Sequence, residues 1–277
     1  MTKFRDILDE KHNNLLVVDA LNLAFRWKHR GESDFKHDYI KTVESLSKSY
    51  KASKIILACD YKGSDFRENI LPSYKANRKE KFANQTPEEK EKADLFFREF
   101  EDTVTLAANN FLVLRYRGIE ADDIAALIVS KYLSNFEHTW LISSDKDWDL
   151  LVTDKSSRFS YVTRKEISLD NWSTHYDFSP EEYISIKCLM GDSNDNVPGV
   201  EGIGPKRAHE LIKKYGSALD IVDILPIKNT YKHIQALNAS KEELFRNYML
   251  MDLVSFHEDA IGQDNVEDIT KKISAYI

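Results

Sequence analysis

Cysteine is scarce. The 277 residues contain two, Cys59 and Cys188, too few for a disulfide framework or a cysteine-rich zinc module. Long hydrophobic runs are missing as well, and no uncharged apolar stretch approaches the ~18–20 residues that cross a bilayer. The opening MTKFRDILDE mixes charges with apolar positions and does not read as a signal peptide. The eight histidines show no HExxH spacing, and there is no Walker A lysine motif. Internal repeats and low-complexity tails are lacking. Positive charge is in deficit, with 39 Lys and Arg against 46 Asp and Glu and a net charge of −7. Over the whole chain that balance argues against a nucleic-acid partner, because phosphate binding favours basic surfaces. What is present is 42% hydrophobic and 31% charged residues, a composition of soluble, cytosol-type folded proteins. The length suits one large domain, or one domain with a smaller appendage.

The first two-thirds alternate between strand and helix patterns. Leu15–Val18, Lys54–Cys59, Phe111–Tyr116 and Thr139–Ser143 are short apolar runs that read as buried strands. Helical patterns cover about Tyr39–Tyr50, Pro87–Asn110 and the stretch from Gly118 through about Tyr132. This alternation predicts an α/β fold with a mostly parallel central sheet flanked by helices. A long polar segment, about Tyr61–Thr86, separates the second strand from the third, and polar insertions of that length are functional or disordered. From about Ser179 the chain reads as helical, with helices at Pro180–Met190 and Pro205–Tyr215, the latter closed by Gly216. Cys59 is expected to pack in a strand and Cys188 in a helix.

Carboxylates gather where strands end. Asp19, Asp60 and Asp145 stand at or just past carboxyl ends of predicted strands, the edge at which open α/β sheets bind ligands. Asp147 follows Asp145, Glu120, Asp122 and Asp123 open a helix, and Asp192 and Asp195 follow another. A single strand-end aspartate is ordinarily a turn or helix cap; nine that can converge are a different matter. Like charges so close need cations, and an all-oxygen set suits Mg²⁺ or Mn²⁺. A pair of such ions is the usual clamp for phosphodiester chemistry. With these nine set aside, the remaining 37 acidic residues face 39 basic ones, which removes the objection to a nucleic-acid partner.

Two basic features match such a partner. LPSYKANRKEKF carries Lys75, Arg78, Lys79 and Lys81 between Tyr74 and Phe82, cations interleaved with aromatics as single-stranded nucleic acid requires. On its own it could equally be a solvated loop. GVEGIGPKRA places Gly202 and Gly204 ahead of Lys206 and Arg207 in the first turn of a helix. Cations there oppose the helix dipole, whereas an anionic phosphate at the helix amino terminus would draw them in. The pattern is that of a helix-hairpin-helix gripping a DNA backbone, with an ordinary interhelical turn as the alternative.

VVDALNLAFR, LPSYKANR, GIEADDIAA, LISSDKDW and MGDSNDNVPGVEGIGPKRA together resemble the structure-specific 5′-nuclease (flap endonuclease / 5′→3′ exonuclease) family, in particular the stand-alone flap endonucleases of T-odd bacteriophages. The likeness runs from about Leu15 to Leu253 with the motifs in family order. It implies a two-metal core over residues 1–178, bearing a helical arch at about 61–110. It also implies a helical carboxy-terminal region, 179–277, with the helix-hairpin-helix (helix-three-turn-helix) at about 185–216. By that likeness Asp60, Glu120, Asp122 and Asp145 hold a first Mg²⁺, and Asp147, Asp192 and Asp195 lie nearer a second. Asp19 and Asp123 join the set directly or through water. Mn²⁺ is expected to substitute, and K⁺ is expected at the glycine hairpin. Lys75 and Arg78 match arch residues facing the scissile phosphate and stand with Asp145 and Asp147 as the catalytic candidates. Arg26 resembles a phosphate contact, and Tyr74 a stacking or positioning residue. Ala76 and Lys146 stand where relatives carry glycine, and neither removes a ligand. The implied substrates are DNAs with 5′ flaps, overhangs or junctions, including RNA primers on DNA. A monomer in the cytoplasm of a host cell is expected, with no sliding-clamp motif, no polymerase domain and no membrane partner. The rival readings are a PIN-type ribonuclease and a protein that holds DNA junctions without cutting them.

Overall fold

The computed structural model describes residues 12–277; the amino-terminal segment read as no signal peptide lies outside the described residues. Six strands, β1 (Asn14–Asp19), β2 (Ala52–Cys59), β3 (Leu112–Arg115), β4 (Thr139–Ile142), β5 (Ser156–Ser160) and β6 (Lys165–Ile167), form one sheet in the order β3-β2-β1-β4-β5-β6. All neighbours are parallel except the β5–β6 pair. The mostly parallel sheet flanked by helices is the architecture expected from sequence. Alternate residues of each strand face opposite layers. Leu15, Val17, Ile56, Ala58 and Leu141 pack against helix Ala121–Tyr132 and against Leu253, Ile269 and Ile273 of the last two helices. Leu16, Val18, Leu57 and Cys59 face Trp27, Tyr39, Phe96 and Phe100. With both faces covered, the central strands are continuous apolar runs, which made them legible.

Strands β5 and β6 were not expected. The five residues SSRFS of β5 are all buried although four are polar. Hydrogen bonds replace hydrophobicity there: Ser156 Oγ donates to the Leu151 carbonyl at 2.6 Å, and the Arg158 guanidinium pairs with Asp149 at 2.5 Å. A periodicity argument cannot see such a strand. Helix Ala20–Lys28, capped by Asp19, also went unpredicted.

The polar insertion contains two short helices, Asp65–Ile70 and Ala76–Ala83, followed by the long helix Pro87–Ala107. Thr86 and Glu89 close a capping box at its start, with Pro87 in the first turn. None of the eight residues of Ala76–Ala83 is buried. It therefore stands on the surface. Beyond Ser179, helices Pro180–Met190 and Pro205–Tyr215 share a core of Ile186, Leu189, Val200, Ile203, Ala208 and Leu211. Strands β7 (Gly191–Asp192) and β8 (Val197–Pro198) pair between these helices. A Cβ on Gly199 would lie 2.0 Å from the Met190 carbonyl oxygen, so only glycine lets the two backbones meet and fold Asp192–Asp195 into a loop.

Candidate active site

The parallel strands bring their carboxyl ends to one edge, and the acidic residues follow. Asp19 caps its helix by accepting from the Asn22 amide at 3.1 Å and accepts from Ser143 Oγ at 2.8 Å. Asp60, just past β2, accepts from the Ala121 amide at 2.8 Å. Asp122 accepts from the Trp148 indole N–H at 2.6 Å. Asp145 accepts from the Asp147 amide at 3.0 Å. None of these four has a cationic partner in contact among the described residues. Burial and then Asp60 raise Asp19 well above the usual carboxylate range; burial and then Asp145 do the same to Asp122. Asp60 is raised by burial and Glu120, and Asp145 by burial and Asp147. Cations act on this group only from a distance, Lys75 and Arg78 on Asp60 and Lys187 on Asp145, and they do not offset burial and the neighbouring acids.

The other five acids are paired. Lys75 Nζ lies 2.5 Å from Glu120 and 3.5 Å from Asp195, and Arg78 lies 2.6 Å from Asp195. Burial alone would raise Glu120, but Lys75 and Arg67 outweigh it and hold the carboxyl below its ordinary value. Lys187 Nζ bonds Asp147 and stands 3.8 Å from Asp192. Burial opposes the Lys187 charge, yet Asp147 and Asp192 push its pKa upward. Asp123 departs from its expected place among the metal-binding carboxylates. It is fully buried, and both its oxygens receive Arg67, at 2.7 and 2.8 Å. Among the described residues no three acidic, histidine or cysteine side chains stand around one point at ligating distance. The expected nine-carboxylate convergence is thus a core of four without cations beside five neutralised by Lys75, Arg78, Arg67 and Lys187. The side chains are not gathered at ligating distance, but the oxygen-only donor chemistry of Asp19, Asp60, Asp122 and Asp145 suits a hard divalent cation. At Asp147, Asp192 and Asp195 a cation would compete with Lys187 and Arg78.

Lys75 itself has a left-handed backbone (φ 53°) at the start of helix Ala76–Ala83, a conformation costly for a side-chain-bearing residue and typical of functional positions. Its amide donates to the Asp195 carbonyl at 2.9 Å. Tyr74 is buried among Cys188, Val197 and Leu250, with its hydroxyl 3.1 Å from both Glu120 and Asp195. Stacking on a base is closed to this ring, which positions carboxylates instead. Lys79 pairs with Glu68 at 3.0 Å. Arg78 and Lys81 face Asp145, Asp147, Asp192 and Asp195 across a cleft of about 430 Å³. A larger cleft, about 1080 Å³, extends from Asp145 and Asp147 past Lys187 to Pro205, Lys206 and His209. The glycine turn is open at Gly204, where a Cβ would meet no atom within 4 Å. Arg207 folds back and donates to the Gly202 carbonyl at 2.5 Å. Arg26 stacks on Tyr161, with its guanidinium carbon 4.5 Å from the ring centroid.

Sequence reading missed Arg67, Lys187 and Tyr161. The usable signal for Lys187 was a charge inside the apolar run ISIKCLM, where a cation persists only if paired. Arg67 left no such trace in the polar segment that carries it.

Residues 14–177 match the family model for the 5′-3′ exonuclease N-terminal resolvase-like domain, and residues 178–272 that for the 5′-3′ exonuclease C-terminal SAM fold. The flap endonuclease of Escherichia phage T5 is 46% identical over 265 residues, 94% of this chain and 91% of that protein. The 5′-3′ exonuclease of Buchnera aphidicola subsp. Schizaphis graminum is 30% identical, covering 76% of this chain and 72% of that one. A crystal structure of the phage T5 protein with metal ions superposes with a TM-score of 0.91 at 46% identity, over 95% of this chain and 99% of that one. The phage T5 flap endonuclease in a pseudo-enzyme-product complex with DNA and metal ions gives 0.92 at 45%, over 95% and 99%. The fold is thus shared with these nucleases over almost the whole length of the chain, and the chain belongs to the 5′-3′ exonuclease family that includes the phage T5 flap endonuclease.

Proposed function

We propose that the chain is a divalent-metal-dependent flap endonuclease and 5′→3′ exonuclease acting on DNA near single-strand/duplex junctions. The carrying observation is the gathering at one sheet edge of Asp19, Asp60, Asp122 and Asp145, none with a cation in contact among the described residues, with Asp145 also lining the cleft that Arg78 and Lys81 line. A protein that merely held DNA would gain nothing from uncompensated negative charge beside a polyanion. Asp19, Asp60, Asp122 and Asp145 would hold Mg²⁺, with Mn²⁺ as a substitute, and Asp147, Asp192 and Asp195 would serve a second, weaker position. When bound, the cation would supply activation of the attacking water and stabilisation of the leaving oxygen. Lys206 and the open backbone at Gly204 grip the duplex strand at the far end of the larger cleft. Arg78 and Lys81 draw the scissile phosphate towards the carboxylates. Lys75, held protonated by Glu120, stabilises negative charge that develops on the phosphate. The product carries a 5′-phosphate, and RNA primers on DNA fall within the substrate class.

A 5′-flap DNA labelled on the flap and on the downstream strand, incubated in Mg²⁺ and in EDTA, tests this reading. Metal-dependent cuts at the junction are expected. Binding without cutting at any Mg²⁺ or Mn²⁺ level would favour the junction-holding protein, and preference for an RNA flap would favour a PIN-type ribonuclease.

The cation has a second consequence, independent of turnover. Because Mg²⁺ relieves repulsion present only in the folded state, the thermal midpoint should rise on titration. Stabilisation of about 2.7 kcal/mol is expected at a hundredfold excess over Kd. A midpoint that ignores Mg²⁺ and Mn²⁺ would remove the four-carboxylate site.

A further inference from the structure

The acidic run that carries Asp145 and Asp147 continues to Asp149, a carboxylate with no part in the chemistry above. Asp149 is 1% exposed and Arg158 4%. Arg158 donates from Nε to one Asp149 oxygen at 2.5 Å and from Nη2 to the other at 2.8 Å. The Tyr176 hydroxyl donates to the same carboxylate. Arg158 also makes a bond that no ion pair requires: Nη1 donates to the Ser143 carbonyl at 3.0 Å. One guanidinium therefore holds both ends of the loop that runs from Ser143 to Asp149.

That loop has lost the support of the sheet. Strands β4 and β5 pair as far as Ile142 and Phe159, and the Ser143 amide donates to the Phe159 carbonyl at 3.2 Å. Past that bond the chain bearing Asp145 and Asp147 leaves the ladder. Arg158 stands opposite Leu141 in the pairing, so its side chain extends the grip of β5 beyond the last rung. Midway along the loop, the Tyr183 hydroxyl donates to the Lys146 carbonyl at 3.2 Å. Tyr183 lies one turn before Lys187 on helix Pro180–Met190, and Lys187 bonds Asp147. The same helix face thus meets the loop twice.

What the loop orders is the acidic edge. Ser143 Oγ donates to Asp19 at 2.8 Å and accepts from the Asp145 amide at 3.1 Å. The Trp148 indole holds Asp122 at 2.6 Å. Asp19, Asp122 and Asp145 all take bearings from it. A buried ion pair that served stability alone could be replaced by apolar side chains. A rigid fork that spans a carboxylate and a backbone carbonyl has no apolar equivalent.

We infer that Arg158 is a positioning residue for phosphodiester hydrolysis, fixing through Asp149 and the Ser143 carbonyl the loop that sets Asp19, Asp122 and Asp145 relative to one another, with Tyr183 as its second support. This role rests on the nuclease reading proposed above. Arg158 is buried behind the carboxylates, so it acts on the rate and on cation affinity and leaves DNA binding alone.

The test compares the parent with two variants by single-turnover cleavage of a 5′-flap DNA, by DNA binding in EDTA and by Mg²⁺ titration of the thermal midpoint. Arg158→Met/Asp149→Leu exchanges the pair for apolar side chains of similar volume, so the midpoint in EDTA should stay near the parent's, while the Ser143 carbonyl loses its donor. The rate should fall about 10–100-fold, and the Mg²⁺ concentration giving half the midpoint shift should rise by a similar factor. Flap-DNA affinity should not change. Tyr183→Phe keeps the ring against Tyr176 and Phe178 and removes one donor. It should lose about fivefold in rate and nothing in DNA affinity, and it decides the matter if the double variant does not fold. Parental rate and Mg²⁺ response in every variant that folds, or a loss of rate matched by a loss of DNA affinity, overturns the positioning role. A parent that neither cuts the flap DNA nor responds to Mg²⁺ overturns the nuclease reading itself.

Discussion

Asp145→Asn should lower the rate of flap cleavage by about a thousandfold while DNA affinity stays within about threefold, the signature of a group used in the transition state and not in ground-state binding. The substitution keeps the side-chain size and one oxygen, so the cap that Asp145 Oδ1 makes to the Asp147 amide survives. What is lost is one of four carboxylates that lack a cation partner. Its burial and its proximity to Asp147 already work against its charge, so the neutral variant should be no less stable in EDTA than the parent. The same variant should lose most of its Mg²⁺-dependent rise in thermal midpoint. Lys75→Ala provides the contrast. It should lose about a hundredfold in rate yet retain the Mg²⁺ response, because the contact partners of Lys75 are Glu120 and Asp195 and it reaches Asp60 and Asp122 only at longer range, where its removal leaves more negative charge for the cation. A thousandfold loss of binding in Asp145→Asn, or full activity, would remove Asp145 from the reaction.

Arg67→Met should cost about 3–5 kcal/mol of folding stability, since removing one member of a buried ion pair strands the other. Arg67 is 4% exposed and Asp123 0%. Beyond the two-pronged bond to Asp123, the guanidinium lies 3.2 Å from Glu120 and donates to the Leu250 carbonyl at 2.8 Å. The residue thus joins helix Asp65–Ile70, the acidic helix start and helix Lys241–Met251. The double variant Arg67→Met/Asp123→Leu should recover most of the loss, because an apolar pair of similar volume needs no mutual neutralisation. Denaturant midpoints of the two single variants and the double measure this directly. Cleavage by the double variant decides the place of Asp123. With Asp123 as Arg67's partner, activity should fall by no more than about 10–100-fold, the range for supporting contacts around a site. A loss as large as that of Asp145→Asn would return Asp123 to the metal-binding set.

The sheet and its acidic edge were legible in the residues alone. β1, β2 and β4 announce themselves because a parallel strand covered on both faces must be apolar throughout, and an aspartate where such a run stops can only lie at the carboxyl edge. Glycine at Gly199 and Gly202 and proline at Pro87 and Pro205 punctuate the helices through local stereochemistry, which needs no distant partner. The motif spacing also carried the family. The division of charge within the nine carboxylates came from tertiary packing. Spacing put Asp122 and Asp123 side by side, yet the rotation of about 100° between consecutive helix residues sends Asp122 to Trp148 and Asp123 into Arg67. Their partners lie 26 and 56 residues away. Lys187 meets Asp147 from 40 residues distant, and Tyr74 meets Asp195 from 121. Strand β5 is polar and buried because Arg158 finds Asp149, and Tyr161 faces Arg26 only because β5 lies beyond β4 from β1. Hydrophobic burial and backbone stereochemistry are written into neighbouring residues. The compensation of a buried charge is a matter of which groups the completed fold brings within a few ångströms.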